Sequence, residues 1–353
     1  MKLLALIEGP DHVCYRYRIK AFEPALAEHG WTLEAIPLTK RSLPRIAQLR
    51  RAAAADVVVL QRKLLPLWQL RILRKAAKAL IYDFDDALFH RDSYHPKGLR
   101  SWRRLARFWA AIYAADAVTA GNEFLQGQAT AYVPAERVHC FPTCIAPGRY
   151  RAARHGRQGG EAKLVWIGQR STLPSLHQAE VGLAAAAELL PGLELRVVSD
   201  VFPNLSGIRV AGRPWSAATE AEELADADIG VSWLPDDAWS RGKCGLKVLQ
   251  FMAAGLPVVA NPVGVHCQMV VHGETGFLAR TPQEWAQAIS QLAADAELRT
   301  RLGTAGRRLA EERYGVNRWA ARMIGLLNRL VCPAAAAARR RSARSSEMAE
   351  AAH

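Results

Sequence analysis

Arg241, Lys243 and Lys247 surround Gly245 in the stretch RGKCGLKVLQFMAAGLPVVANPVGVHCQMVVHGETGF, which runs from residue 241 to residue 277. Cations at the head of a helix suit phosphate binding, because the first backbone N–H groups of a helix have no internal partner and its dipole favours negative charge there. A second set is Asp83-Phe84-Asp85-Asp86. Carboxylates so spaced can bridge a divalent ion to a diphosphate, act as a base or hold a substrate hydroxyl, or cap a helix. A third set follows Gly9, in Tyr15-Arg16-Tyr17-Arg18-Ile19. Arg16 or Arg18 there can meet a diphosphate or an acceptor phosphate, or line a solvated helix face. His90 and His95 lie in a polar loop, where one of them could assist proton transfer. Gly168 and Arg170 follow a strand pattern, and Asp236 and Asp237 follow another.

The elements that must position these residues alternate between strand and helix. Apolar runs predict strands over 2–7, 32–38, 56–60, 80–83, 116–120 and 138–141 in the first half. Helical patterns lie between them at 15–29, 42–55, 67–79 and 102–114, and Asn122 caps a further helix. In the second half strands are expected at 163–167, 193–199, 229–233 and 258–259. Helices are expected at 175–190, 215–227, 284–294, 298–313 and 314–331, with one more opening at Leu246. That helix stops at Gly255, where only glycine reaches the left-handed conformation cheaply, and Pro257 forbids its continuation. In such a sheet, residues just past a strand's carboxyl end face the ligand. Polar, Gly-rich residues 151–160 read as a linker. The domains expected are 1–150 and 151–331, with a disordered tail over 332–353.

The stretch Ala253-Ala254-Gly255-Leu256-Pro257-Val258-Val259-Ala260, followed by His272-Gly273-Glu274-Thr275-Gly276-Phe277-Leu278, resembles the nucleotide-sugar element of the family 4 retaining glycosyltransferases. The resemblance implies an α/β chain of GT-B fold: two doubly wound, Rossmann-like domains facing across a cleft, the last helix returning to the first domain. It implies transfer of a sugar from a nucleoside diphosphate donor to a glycan, lipid or other acceptor, with retention. Lys247 and Lys243 would stabilise the leaving diphosphate, with Arg241, Gly168, Arg170 and Gly245 beside it. Gln250 would hold the ribose, and Asp236 or Asp237 the sugar. Asp85 and Asp86 would act at the reacting centre, and Gly9, Arg16, Arg18 and His95 on the acceptor or phosphate side. Two departures stand out. Gly242 and Gln250 occupy positions where the family usually carries glutamates, and Gln169 stands where many members have arginine. No cofactor is implied, and no metal, since these enzymes use basic residues and helix dipoles. A nucleotide-sugar epimerase shares the fold and is the alternative reading; a non-enzymatic nucleic-acid-binding protein, suggested by charge alone, is the remaining rival.

The net charge of +14 is uneven: residues 1–150 carry 23 Lys and Arg against 13 Asp and Glu. Such a surface suits nucleic acid, anionic lipid or phosphorylated substrates. No recognisable nucleic-acid module is present, so nucleic acid is not expected. The helix over 102–114, with Trp102, Arg103, Arg104, Arg107, Phe108 and Trp109, suits a phospholipid interface. No apolar run reaches the roughly 20 residues of a membrane span. The opening MKLLALI is read as a buried strand rather than a signal peptide. Six scattered cysteines, with Cys140 and Cys144 the only close pair, fit a reduced compartment. A cytoplasmic protein is expected, peripheral on the inner membrane face.

Overall fold

The computed structural model describes residues 1–157 and 161–332. The tail expected over 332–353 lies outside the described residues from 333 onward, as does the end of the linker expected at 151–160. The chain separates into two compact units, one formed by Met1–Cys144 with the segment from Val316, the other by Ile145–Gly315.

The first unit is built on β1 (Lys2–Ile7), β2 (Thr32–Pro37), β3 (Val57–Gln61), β4 (Leu80–Phe84), β5 (Ala117–Ala120) and β6 (Val138–Cys140). They pair in parallel in the order β2-β1-β3-β4-β5-β6. Strands β3 and β4 are buried at every position, which is why they read as unbroken apolar runs rather than alternating ones. The helices are α1 (Val13–Arg18), α2 (Glu23–Glu28), α3 (Ser42–Arg50), α4 (Leu67–Ala76), α5 (Trp102–Ala114) and α6 (Glu123–Thr130). The single helix expected over 15–29 is broken. Ile19 leaves helical geometry at φ −127°, a 3-10 turn follows, and Pro24 then opens α2.

The second unit carries β7 (Lys163–Ile167), α7 (Leu173–Leu189), β8 (Glu194–Ser199), β9 (Arg209–Pro214), α8 (Glu220–Ala225) and β10 (Ile229–Ser232). Then come α9 (Leu246–Ala253), β11 (Val258–Ala260), α10 (His266–Met269), β12 (Gly276–Leu278), α11 (Pro282–Ala294) and α12 (Ala296–Tyr314). Its sheet is also parallel, in the order β12-β11-β10-β7-β8-β9. Both edge strands were missed in the sequence. β9 has no fully buried residue, so it lacks the apolar run that marks a central strand. β12 has three residues, and its Gly276 lies so close to the backbone of Val258 that no Cβ would fit. The helix expected over 215–227 is confined to α8.

The chain returns to the first unit as α13 (Val316–Val331). Trp319, Ile324 and Leu327 of α13 share a core with Leu3, Ala5, Val57 and Ile81. The indole N–H of Trp31 donates to Asn328 Oδ1 at 3.1 Å.

Candidate functional site

In the second unit β7, β8 and β9 are laid down in one direction and β10, β11 and β12 in the other. The reversal lies between β7 and β10, and ligands of open α/β sheets bind outside the carboxyl ends of strands at such a point. The loop after β7 carries Gly168 and Arg170. The loop after β10 carries Asp236, Arg241 and Lys243 and leads into α9.

Beside the β7–β10 pairing, a contact between Lys247 and Trp166 links the two segments. Lys247 Nζ lies 4.0 Å from the centroid of the Trp166 ring. Lys247 is half-buried and has no carboxylate or hydrogen-bond partner among the described residues. Its pKa is pulled down to about 7, chiefly by burial and further by the charge of Lys243. Lys243 itself lies over the Trp239 ring, 4.9 Å from its centroid. Gly168 is adjacent: a Cβ there would overlap the Trp166 indole and Thr172 Oγ1. Gly245 caps α9 at φ +66°, where a side chain would strike Met269 Sδ. The head of α9 thus has no side-chain cap and no acidic residue in its first turn. Two ammonium groups near a helix end without a side-chain cap are an arrangement that suits an anion.

The other residues expected at the donor take varied places. Arg241 and Asp236 form an exposed pair, with Nη2 to Oδ1 at 2.9 Å. Arg170 is exposed, and its backbone N–H donates to Asp200 Oδ1 at 2.8 Å. Gln250 is 5% exposed, and its Nε2 donates to the Tyr150 hydroxyl at 3.5 Å. That hydroxyl lies 3.4 Å from Glu220 Oε1, and Trp215 Nε1 donates to Glu220 Oε2 at 2.9 Å.

A network unseen in the sequence holds the loops above β10 and β11. His266 is 1% exposed, with Nδ1 2.9 Å from the Asn261 carbonyl and Nε2 3.0 Å from Ser232 Oγ. Burial, which outweighs the Asn261 carbonyl bond, lowers its pKa to about 4, and the ring is therefore neutral near pH 7. Nδ1 then donates to the carbonyl, and Nε2 accepts from the serine. Asn261 in turn clasps both backbone groups of Leu234. Only the Asn-Pro and Gly-Val turn residues around it hinted at a fixed loop.

In the first unit the sheet reverses between β1 and β3, and the polar residues gather at that edge. Arg18 is 3% exposed, and Asp83 is 3% exposed. Arg18 Nη2 meets Asp83 Oδ1 at 2.5 Å, Nε meets Oδ2 at 3.1 Å, and Nη1 donates to the Phe141 carbonyl at 2.8 Å. The expectation that Arg18 meets a phosphate is therefore corrected: its donors are spent inside the fold. Asp83 also accepts from Thr119 Oγ1 at 2.8 Å and Gln61 Nε2 at 3.0 Å, so it is not available to a metal as the first member of the carboxylate triplet.

Asp85 and Asp86 are each paired with Arg62, the latter at 2.7 Å. Burial alone would raise the pKa of Asp85, but the Arg62 and Arg18 cations outweigh it and hold the group below the usual carboxylate range. This pairing corrects the reading of Asp85 as a base: a carboxylate so held takes a proton poorly, while hydroxyl binding remains open to it. Arg62 sits at φ +60°, a strained conformation for a residue with a side chain. Glu8 reaches Lys63 at 2.6 Å and His12 at 3.2 Å. Arg16 lies against the Tyr17 ring. Gly9 accepts from the His12 N–H at 3.2 Å and has open space where a Cβ would stand. His95 caps a turn, its Nδ1 accepting from the Lys97 N–H at 3.1 Å. No contact ties it to Asp85 or Asp86.

Residues 150–295 match the family described as "Glycosyl transferases group 1". D-inositol 3-phosphate glycosyltransferase of Nocardia farcinica is 32% identical over 209 residues, 52% of this chain and 44% of that protein. The counterpart in Corynebacterium urealyticum is 28% identical over 44% of this chain and 41% of its own length. The matches thus span less than half the length of these curated relatives. Among solved structures, Anabaena HepE in complex with UDP and glucose aligns with a TM-score of 0.65 at 17% identity, over 93% of this chain and 99% of that one. Sucrose-phosphate synthase of Thermosynechococcus elongatus aligns with a TM-score of 0.68 at 18% identity, over 93% and 98%. These likenesses show the GT-B fold.

Proposed function

We propose, from the premise that residues 150–295 belong to the group 1 glycosyltransferases, that this chain moves a sugar from a nucleoside diphosphate donor to an acceptor hydroxyl. The observation that carries the reading is Lys247: a half-buried cation at the head of α9, against Trp166 and without a carboxylate partner among the described residues. Such a group awaits an anion. In the reaction the anomeric C–O bond to the diphosphate breaks, the acceptor oxygen bonds to the anomeric carbon, and its proton passes to the departing diphosphate. Negative charge grows on the departing diphosphate, and preorganised cations and helix N–H groups stabilise it. Lys247 and Lys243 take that role, Arg170 and Arg241 flank it, and Gln250 is assigned to the ribose. Retention at the anomeric carbon is part of this proposal. HepE was solved with UDP and glucose, so UDP-sugars are the first donors to try.

The acceptor is assigned to the first unit, where Asp85 and Asp86, oriented by Arg62, would hold its hydroxyls, and Arg16 would meet any phosphate it carries. The inositol phosphate glycosyltransferases among the relatives favour a polyol or phosphorylated acceptor. The place proposed is the cytoplasm, with peripheral contact to an anionic membrane. No helix among the described residues is long and apolar enough to cross a bilayer. The contact is assigned to α5, which has a second apolar stripe besides its buried one: Trp102 is 72% exposed and Tyr113 is 73% exposed. Trp109 stands between them, with Trp102 5.4 Å and Tyr132 4.9 Å from it.

The test is a panel of nucleotides and nucleotide sugars scored by melting temperature, followed by transfer assays with the donor that stabilises most. Stabilisation by a nucleoside diphosphate is expected. An altered nucleotide sugar released without acceptor would point to an epimerase instead, and no stabilisation by any donor would defeat the reading.

A further inference from the structure

We propose that Trp166 is the positioning residue of the donor site: its indole face, rather than a carboxylate, holds the Lys247 ammonium at the head of α9. The inference rests on the donor reading above and goes beyond it by assigning how the cation is kept free for the diphosphate.

Three observations converge on the indole. Lys247 Nζ stands 4.0 Å from the ring centroid, within the range of a cation–π contact. Trp166 is 1% exposed and belongs to the core with Leu164, Leu176 and Trp285, so the ring cannot swing away. Its Nε1 is buried without a hydrogen-bond partner among the described residues, so packing alone orients it. Gly168 is bound to the same ring, since any side chain there would displace the indole or Thr172. The glycine read from sequence as part of a phosphate loop is thus also the space the tryptophan needs.

The chemistry of this arrangement differs from that of an ion pair. A carboxylate would hold Lys247 more firmly but would also neutralise it, and a diphosphate would have to compete. An aromatic face orients the ammonium while leaving its charge uncompensated. The groups facing Lys247 are Trp166 from β7, Lys243 from the preceding turn and neutral His266 from α10; none is an acid. Burial and Lys243 bring the pKa of Lys247 to about 7, so a fraction of the empty sites is unprotonated near neutrality. An anion arriving there favours the ammonium form, and its affinity should fall as pH rises from 6 to 8.5.

The experiment compares Trp166→Phe, which keeps a π face, with Trp166→Leu, which does not; both remove ring volume. Affinities for UDP, GDP and ADP are measured by calorimetry in wild type, both variants, Lys247→Met and the double variant Trp166→Leu/Lys247→Met. We expect Trp166→Phe to stay within about threefold of wild type and Trp166→Leu to lose about tenfold. The double variant should be no weaker than Lys247→Met alone, because a residue acting through Lys247 has nothing left to position. Additive losses, or equal losses in the Phe and Leu variants, would reduce Trp166 to a packing role and overturn the proposal. A second arm needs no nucleotide: competitive acylation of Lys247, followed by mass spectrometry from pH 6 to 10. The lysine should titrate near 7 in wild type and Trp166→Phe, and lower in Trp166→Leu, which keeps the site apolar but removes the π face that favours the ammonium form. An unchanged titration in the leucine variant also overturns the assignment. If none of the nucleotides binds wild type, the donor reading fails while this arm still decides the role of Trp166.

Discussion

Arg18 and Asp83 form a buried pair in which the carboxylate takes both Nε and Nη2 of the guanidinium, while Nη1 is held by the Phe141 carbonyl. The pair links α1, the end of β4 and the residue after β6, three segments at or just past the carboxyl ends of strands of the first sheet. Its charges serve the fold, not a ligand.

Arg18→Met should therefore cost stability rather than nucleotide affinity. Removing one partner strands the other as a buried charge, which typically costs about 3–5 kcal/mol. Chemical denaturation should show that loss, with the affinity for the best donor unchanged in the protein that remains folded. A variant of normal stability would overturn the view that this pair holds the fold.

Lys247→Ala should lower turnover far more than stability. A preorganised donor at a developing charge contributes about 10²–10³ in rate. Lys78 is the control, because it is exposed and pairs with Asp56 at 3.1 Å near the opposite end of β3. Lys78→Ala should leave turnover and melting temperature near wild type. Near-normal turnover in Lys247→Ala would move the diphosphate to Lys243 and Arg170.

His266 predicts acid sensitivity of the second unit. Its pKa is about 4 when folded, below the ordinary histidine value near 6.5, so the unfolded chain binds the extra proton first. The contribution is fully present above about pH 6.5 and is lost as pH falls toward 4, at most about 3 kcal/mol. His266→Gln, which keeps a hydrogen-bonding side chain without a titrating ring, should be less stable at pH 7 but show a flatter decline over that window. Parallel melting curves for the two proteins from pH 7 to pH 4 would remove His266 as the cause.

Much of this was legible in sequence, for reasons that also mark where it stopped. Runs such as Val57-Val58-Val59-Leu60 announce central strands because both faces are buried, whereas β9 at the edge carries no such run. The head of α9 was visible because Lys247 defies the helix dipole. What could not be read were partnerships across distant segments. Arg18 in a basic run looks ready for phosphate until Asp83, 65 residues away, takes it. Asp85 and Asp86 look like paired catalytic carboxylates until Arg62, strained at φ +60°, pairs with both. Trp166 reads as one more core aromatic until Lys247 is found over its face.

Transfer should not depend on a divalent ion. Asp83 is held by Arg18, and the charges of Asp85 and Asp86 are matched by Arg62, so the triplet does not present the uncompensated carboxylates that a divalent ion needs, while hydroxyl binding stays open to Asp85 and Asp86. In the proposed donor site, Lys247 and Lys243 would supply the positive charge that a metal would bring to a diphosphate. Activity should persist in EDTA. Loss of activity that Mn²⁺ or Mg²⁺ restores would revive the triplet as a metal site.

Helix α5 should bring the protein to anionic bilayers. From residue 93 to residue 115 there is no Asp or Glu, while Lys97, Arg100, Arg103, Arg104 and Arg107 carry positive charge. The inner face of α5 is already satisfied by Phe108, Ala111 and Ile112, while Trp102 and Tyr113 are exposed, with half-buried Trp109 between them against Tyr132. Arg104 donates to the Leu88 carbonyl at 2.8 Å, so part of the basic set is tied to the fold, while Arg103 is exposed. Aromatic rings beside arginines suit the headgroup region, and each free cation near such a surface contributes about 1 kcal/mol, screened by salt. Flotation with phosphatidylglycerol vesicles at low salt should recover the protein. Neutral phosphatidylcholine vesicles, or anionic ones at high salt, should recover much less. Trp102→Ala combined with Tyr113→Ala should weaken recovery about tenfold without changing donor affinity. No flotation at low salt, or binding indifferent to both lipid charge and this pair, would assign the stripe to another partner.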